Sequence, residues 1–378
     1  MDEKLMNAFE YAIETGNIEM FDLLAKDFDK LDQKDKNSLL ERTVIAAPNT
    51  EFIQHVLDLG YDLKYKDDDG NTLLHFAAVS SHPETVRFFV SKGLDLEEKN
   101  KWDGTPICAA AKETDNPEVL KALIDAGADI HVTSHGGETL LITAAGLNPN
   151  PAITEFLLKK GFDTEDRDDD GFTALLNAGA WQSNSEVLAI LVGAGANIHA
   201  KAKNGNNLFH HAAYNPSRDV VRYISSAFST TDVNNEGETC FQKVLQCGCS
   251  PEILKLFIRK MKEEHVMYAC GNENPEILET LIQSGYDSNT TDSDGMSAMM
   301  LVAKINTNPD VIQMLRYYRA CWDAHDENGR NVLHYAASNS DPAIYNWMLE
   351  DDDFKKLADE KDTNGKKPEY YRENADEF

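Results

Sequence analysis

The stretch "NPEVLKALIDAGADI" (residues 116–130) returns as "NPEILETLIQSGYDS" (274–288), and this echo limits the possible folds more than any other feature of the 378-residue chain. A catalytic motif is normally written once, whereas a phrase that returns marks a building block. Further copies start at Asn49, His82, Asn150, Asn184, Ser217, Ser250, Asn308 and Asp341. Successive starts lie 33, 34, 34, 34, 33, 33, 24, 34 and 33 residues apart. Steps this even imply supersecondary units stacked in a line, each burying its apolar face against its neighbours.

Each copy reads as a short helix with its own punctuation. Asn or Ser at the start offers a side-chain oxygen to an N–H that the helix cannot satisfy. Pro117 suits the first helical position, where no N–H is needed, and Glu118 sits well at the positive end of the helix dipole. Val119, Leu120, Leu123 and Ile124 line one face at helical spacing. Gly127 can take the left-handed conformation that stops a helix.

A second phrase precedes the first: "GNTLLHFAA" (70–78), "DGTPICAAA" (103–111), "GETLLITAA" (137–145), "GRNVLHYAA" (329–337). A turn glycine, a Thr or Asn cap and a helix of small residues follow one another. The unit is a finger-like turn, a helix, a turn and a helix.

This combination resembles the ankyrin repeat, whose pattern is a D-G turn, T-P-L-H-x-A-A, and a helix closing on L-L-x-x-G-A-D. Thr105-Pro106, "TLLH" (72–75) and Gly127-Ala128-Asp129 match it directly. The inter-helix turn departs from the pattern, carrying N-P and often one extra residue, a variant that resembles bacterial members of the family. The resemblance implies an all-α solenoid of about eleven repeats. It further implies that His75, His210 and His334, at the histidine of T-P-L-H, each tie one repeat to the next by a side-chain hydrogen bond. Its function would be protein–protein binding rather than catalysis, on a concave face lined by finger tips and by two residues after the A-A of each first helix.

The short step of 24 lies at 250–274, where "IRKMKEEHVMYACG" (258–271) joins one helix to the next without a finger. Stop glycines are also missing nearby, where Phe228, Met261 and Arg319 stand instead. We expect a soft boundary there, dividing the array into residues 1–260, with a polar first repeat, and 261–378. The last stretch, "DTNGKKPEYYRENADEF" (362–378), reads as a frayed acidic tail.

Composition excludes several function classes. The net charge is −29, which speaks against binding nucleic acid through its phosphates. No apolar run approaches the ~20 residues of a membrane span, and the opening residues lack a basic region followed by an apolar block. Six scattered cysteines (108, 240, 247, 249, 270 and 321) suit free thiols in a reducing compartment, so a cytoplasmic setting is expected. Cys247-Gly-Cys249 lacks the spacing of a zinc site. "DRDDDG" (166–171) opens like a calcium loop, but its twelfth position is Asn177 rather than a bidentate Glu. No nucleophile or phosphate-loop motif is present, and no cofactor is expected.

Partner-binding residues are then sought where the repeats vary. Leu147, Trp181 and Tyr214 fall 34 and 33 residues apart in one register, with Phe172 from a finger expected beside them. Trp and Tyr are favoured interface anchors. Trp102 in the finger "KNKWDG" is a second candidate, and Lys201 and Lys203 in "HAKAKNG" give a positive spot in an acidic row. The expected partner is another protein, one with a basic surface given the charge, bound by a monomeric chain. The alternative is an acidic decoy that imitates nucleic acid or, as an immunity-type inhibitor, masks a basic enzyme surface.

Overall fold

A computed structural model of the chain describes residues 3–26, 32–227, 233–246 and 249–378. Phe228 and Cys247 lie outside the described residues. The chain forms two compact units, Met1–Asn204 and Gly205–Phe378. Among the described residues there are eleven helix pairs, six in the first unit and five in the second, and no strand beyond isolated antiparallel bridges at the finger bases. The all-α repeat architecture read from the sequence is therefore the observed one.

The pair Pro106–Glu113 and Pro117–Asp125 shows how each unit is specified. Thr105 and Asn116 precede the two helices in extended conformation, and each helix begins with proline. Asn116 Oδ1 accepts from the Glu118 N–H at 3.0 Å. Val119, Leu120, Ala122 and Leu123 are buried, and each large side chain among them stabilises by roughly 1.5–3 kcal/mol. Gly127 leaves the helix at φ +101°, where a side chain would be strained. Arg319 fills the same slot at φ +61° and is exposed, so it bears that backbone strain without a packing reward.

Side-chain amides join consecutive repeats at the inter-helix turn. Asn148 is buried and gives its two amide hydrogens to the carbonyls of Ala111 (3.2 Å) and Thr114 (2.9 Å), one repeat back. Gln182 does the same to Ala145 (2.9 Å) and Asn148 (2.8 Å). In the second unit Asn306 reaches Cys270 and Asn272, and Asn339 reaches Ala303 and Asn306. Each of these four amides also accepts, through its oxygen, the N–H two residues on. The residue at that position is the helix cap, and it repeats the device. Asn150, Asn184 and Asn308 cap their own helices while their amide nitrogens bond Asp115 O, Pro149 O and Glu273 O of the repeat before. An amide offers two donors and an acceptor, whereas the Thr114 hydroxyl, at the register of Asn148, gives one bond to Ser80 O and accepts one from Asn116 N–H. Asp341 caps its helix but has no hydrogen to give back.

The fingers add a second ladder. Asp67, Asn100, Asp168, Asn234, Asp292, Asp326 and Asp362 each fold their finger by accepting two backbone N–H groups through one side-chain oxygen. The tip carbonyl of one finger then accepts from the next, as in Lys101 N–H to Asp69 O (2.8 Å), His135 to Trp102 (2.9 Å) and Asp169 to Gly136 (2.7 Å). The fingers stack so closely that a Cβ on Gly171 would lie 3.0 Å from the Lys203 nitrogen. The expected histidine ties are present: Nε2 of His75, His210 and His334 meets the carbonyls of Gly104, Glu238 and Lys366 in the following finger.

At 258–271 the finger is missing as read. A 3₁₀ turn, Ile258–Lys260, leads almost directly into the helix His265–Ala269. Three contacts stand in for the finger. Glu263 accepts from the Asp287 N–H, Tyr286 Oη donates to Ile258 O at 2.9 Å, and Lys262 N donates to His265 Nδ1 at 2.9 Å.

The C-terminal stretch corrects the sequence reading. Residues 362–378 do not fray. Asp362 folds one more finger, Thr363 N–H bonds Asn328 O of the finger before, and Tyr371 is buried at 2 % exposure with its hydroxyl on Asp362. Pro368 and the dense charge hid a closing half-repeat that covers the apolar end of the last helix pair.

Two outcomes follow from this packing. Asn148→Ala leaves two buried carbonyls unpaired and should cost about 2–4 kcal/mol, seen as a lower denaturant midpoint, while Asn148→Gln should keep most of the stability because Gln182 fills the same role one repeat on. For the junction near residue 260, we expect native-state hydrogen exchange to show the part after it opening before the part ahead of it, since fewer repeats support it. A single opening that protects 258–271 as well as its flanks would mean that the substitute contacts replace the finger in full.

Candidate interaction face

In the first unit, the first helices of successive repeats and the fingers beside them enclose an open groove of about 500 Å³. Phe76 and Val79 come from the helix Leu73–Val79, Ala109, Lys112 and Glu113 from Pro106–Glu113, and Thr143 and Leu147 from Leu140–Leu147. Ile45 lines the groove as well, and the finger residues Asp69, Trp102 and His135 form its wall.

Trp102 is the aromatic tip of its finger. The corresponding residues elsewhere are short or polar: Asp69, Gly136, Asp170, Glu236, Asp294, Asn328. Asn100 Oδ1 holds the finger through the N–H groups of Trp102 and Gly104, both at 3.0 Å, and Asp103 takes the left-handed slot at φ +56°. The indole is left 63 % exposed. Leu147 is the last residue of its helix, directly before the buried Asn148, and is 44 % exposed. Because Asn148 must point back into the preceding repeat, the residue before it is turned outward. Trp181 stands in the same register before the buried Gln182 and is 62 % exposed. It is therefore not filling the space left by Gly146, which Asn177 occupies, its amide bonding Ile142 O at 2.9 Å.

The structure thus brings Trp102 and Leu147 into one groove. Trp181, Phe172, Lys201 and Lys203 lie outside its lining. Phe172 is half-buried, with its N–H on Asp168. Lys201 is exposed and its carbonyl accepts from Arg167 (2.8 Å), while the Lys203 ammonium folds onto the carbonyl of Asp169. Phe76, Ile45 and His135 were not singled out in the sequence. Phe76 follows the tying histidine, a place that reads as core, and only the geometry shows it half-buried at the groove floor.

The groove is apolar on its floor and mixed in charge at its edges. Lys112 pairs with Glu113 at 3.0 Å, and Glu138 accepts from Thr143 at 3.1 Å. Burial holds the His75 imidazole below its ordinary range and pushes the Cys108 thiol up. The Asp168 carboxylate oxygen that a calcium loop would use accepts the N–H groups of Asp170 and Phe172.

In the second unit Tyr214 precedes Asn215 in the same register and is 46 % exposed. His211 is buried beside it, pushed down to about 4 by burial and by the neighbouring His210. Lys243 lies against Glu238, a hydrogen bond that raises the ammonium and lowers the carboxylate from their usual ranges.

Stacked helix pairs with hydrogen-bonded fingers define a helical-repeat protein. The family model for ankyrin repeats matches at 43–134, 107–202 and 266–359, about two thirds of the chain, and the protein belongs to the ankyrin-repeat family. Repeats of this family generally mediate protein–protein interactions. Among curated relatives, a transient receptor potential cation channel subfamily A member 1 homolog of Caenorhabditis elegans is 33% identical over 100 residues, 25% of this chain and 8% of its own length. Serine/threonine-protein kinase 12 of Arabidopsis thaliana is 32% identical over 60 residues, 16% of this chain and 13% of its own. The chain therefore spans only a small part of either relative. Among the described residues no helix is long and apolar enough to cross a membrane.

The buried histidines set an acid limit. In the unfolded chain His211 titrates near ~6.5; folded, it does so near about 4. The stability from keeping it neutral is full above ~6.5 and is lost as pH falls from there toward 4, on the order of 3 kcal/mol in all. Chemical denaturation between pH 7.5 and 4.5 should show the loss, and His211→Asn, which takes the residue at this register in the preceding repeat, should flatten it.

Proposed function

We propose that this protein is a non-enzymatic binding scaffold or inhibitor that seats a partner protein in the groove of its first unit, with Trp102 and Leu147 as anchors. The observation that carries the reading is the single aromatic finger tip, exposed above a floor of Phe76, Val79 and Leu147. Large aromatic side chains that are exposed alone and desolvated in a complex carry much of the binding energy of interfaces. Trp181, one repeat on from Leu147 in the same register, extends the anchor row within this unit, and Tyr214 holds the same register in the second unit as a candidate contact of its own. Phe172, Lys201 and Lys203 belong to the rim in this reading.

Asp69, Glu113 and Glu138 border the apolar floor, and this favours a partner segment with basic residues flanking an apolar one. A chain of net charge −29 would also draw such a partner by long-range attraction. We place the interaction in the cytoplasm, with the chain acting as a monomer. Among the described residues the buried Cys108 and Cys270 keep free thiols, which supports a reducing setting.

Affinity capture from the source cell, followed by binding measurements on the recovered partner, tests the reading. Trp102→Ala should weaken binding by ~2 kcal/mol, about thirty-fold, and Trp181→Ala measurably, with folding stability unchanged within ~0.5 kcal/mol because both rings are exposed. A partner held equally well by Trp102→Ala and by Leu147→Asp would place the binding face elsewhere.

A further inference from the structure

Three positions that line the groove of the first unit recur in the second with different chemistry. Tyr335 follows the tying His334 as Phe76 follows His75. Lys304 stands two residues before the buried Asn306, as Lys112 stands two before Thr114. Arg330 follows the turn glycine Gly329, as Glu138 follows Gly137. In the second unit these three side chains hold a ring from the chain itself. Phe378 meets Tyr335 edge-on with centroids 4.7 Å apart, and Tyr371 at 5.1 Å. Lys304 Nζ lies 4.8 Å from the centre of the same ring and the Arg330 guanidinium carbon 4.3 Å.

Two cations on one aromatic ring are notable in a chain that carries 65 acidic residues and 36 basic ones. A ring's negative face attracts such cations, and among the described residues neither forms an ion pair with a carboxylate. Arg330 Nε is buried with no hydrogen-bond partner. The segment that delivers Phe378 is otherwise lightly held. Ala375, Asp376 and Glu377 are exposed, and the bonds of residues 374–378 are two backbone turns, one from the Asn374 amide to Tyr370 O at 2.8 Å and one from Tyr370 Oη to Glu377 at 2.5 Å.

We propose that the inner face of the last two repeats, formed by Lys304, Arg330, Tyr335 and Tyr371, is a seat for a peptide that presents phenylalanine next to acidic residues, and that residues 374–378 occupy it in cis. A partner with that chemistry must displace the chain's own segment, so the segment acts as a competitive latch. This seat is separate from the groove of the first unit and does not depend on its function.

The probe is a fluorescein-labelled peptide of residues 372–378, measured by anisotropy against the full-length chain. Opening the seat with Phe378→Ala should tighten binding ~10-fold or more over the unsubstituted chain, in which the seat is filled most of the time. The same peptide with alanine in place of phenylalanine should lose its binding, and adding Lys304→Ala to the Phe378→Ala chain should weaken it ~5-fold or more. Should Phe378→Ala fail to fold, Phe378→Leu serves instead, keeping apolar bulk but losing the attraction between ring and cations. Equal affinity for the unsubstituted and opened chains, or no binding to a folded opened chain, overturns the proposal.

Discussion

The double amide turn by which Asn148, Gln182, Asn306 and Asn339 bind the repeat before them is the interaction on which the rest depends. Helices of eight or nine residues are too short to be stable alone, so each exists because its neighbours hold it. The apolar faces supply most of that stabilisation but little geometry, since apolar contact is non-directional. The amides of Asn148, Gln182, Asn306 and Asn339 supply the geometry. Each donates twice to the preceding repeat and accepts from its own turn, so the register of one repeat on the next is set to within a hydrogen bond. Being buried, these bonds are costly to leave unmade.

That constraint also decides what remains available for function. Because the amide must point back, the residue before it must point out, and Leu147, Trp181 and Ile305 are exposed for this reason. The fingers are committed in the same way. Their first carboxylate or amide oxygen closes the finger and their tip carbonyl accepts the next one. Five of the aspartates, Asp67, Asp168, Asp292, Asp326 and Asp362, are thereby accounted for by building fingers. What the fingers leave free is the side chain at the tip, and in one finger that side chain is Trp102.

The repeat architecture was legible because a fixed step between capped helices has few structural solutions, and the missing finger was legible as a shortened step. The amide ladder was not. The pattern N-x-N is visible at 148–150 and 306–308, but the second asparagine is explained by capping alone, and the donor side of each amide finds its acceptor 33 or more residues away. The closing half-repeat was missed although Asp362 and Gly365 carry the finger signature, because Pro368 and the charges around it read as loop. At the candidate site, Trp102 and Leu147 meet in the groove, whereas Lys203 turns back to the Asp169 carbonyl. Side-chain direction at a finger tip is set by the neighbouring finger, and no spacing within the sequence encodes it.

The two units apply one backbone plan to different surface chemistry. At matching positions the first unit places Phe76, Lys112 and Glu138, with the lysine paired to Glu113, while the second places Tyr335, Lys304 and Arg330 around an aromatic ring. The framework tolerates both because none of these residues takes part in the amide turn or the finger ladder. Their cost to folding is small and their identity is free to vary. A solenoid whose register is fixed by buried amides can therefore vary its inner face repeat by repeat, and the contrast between a charge-paired groove and a cationic aromatic seat is what that freedom permits.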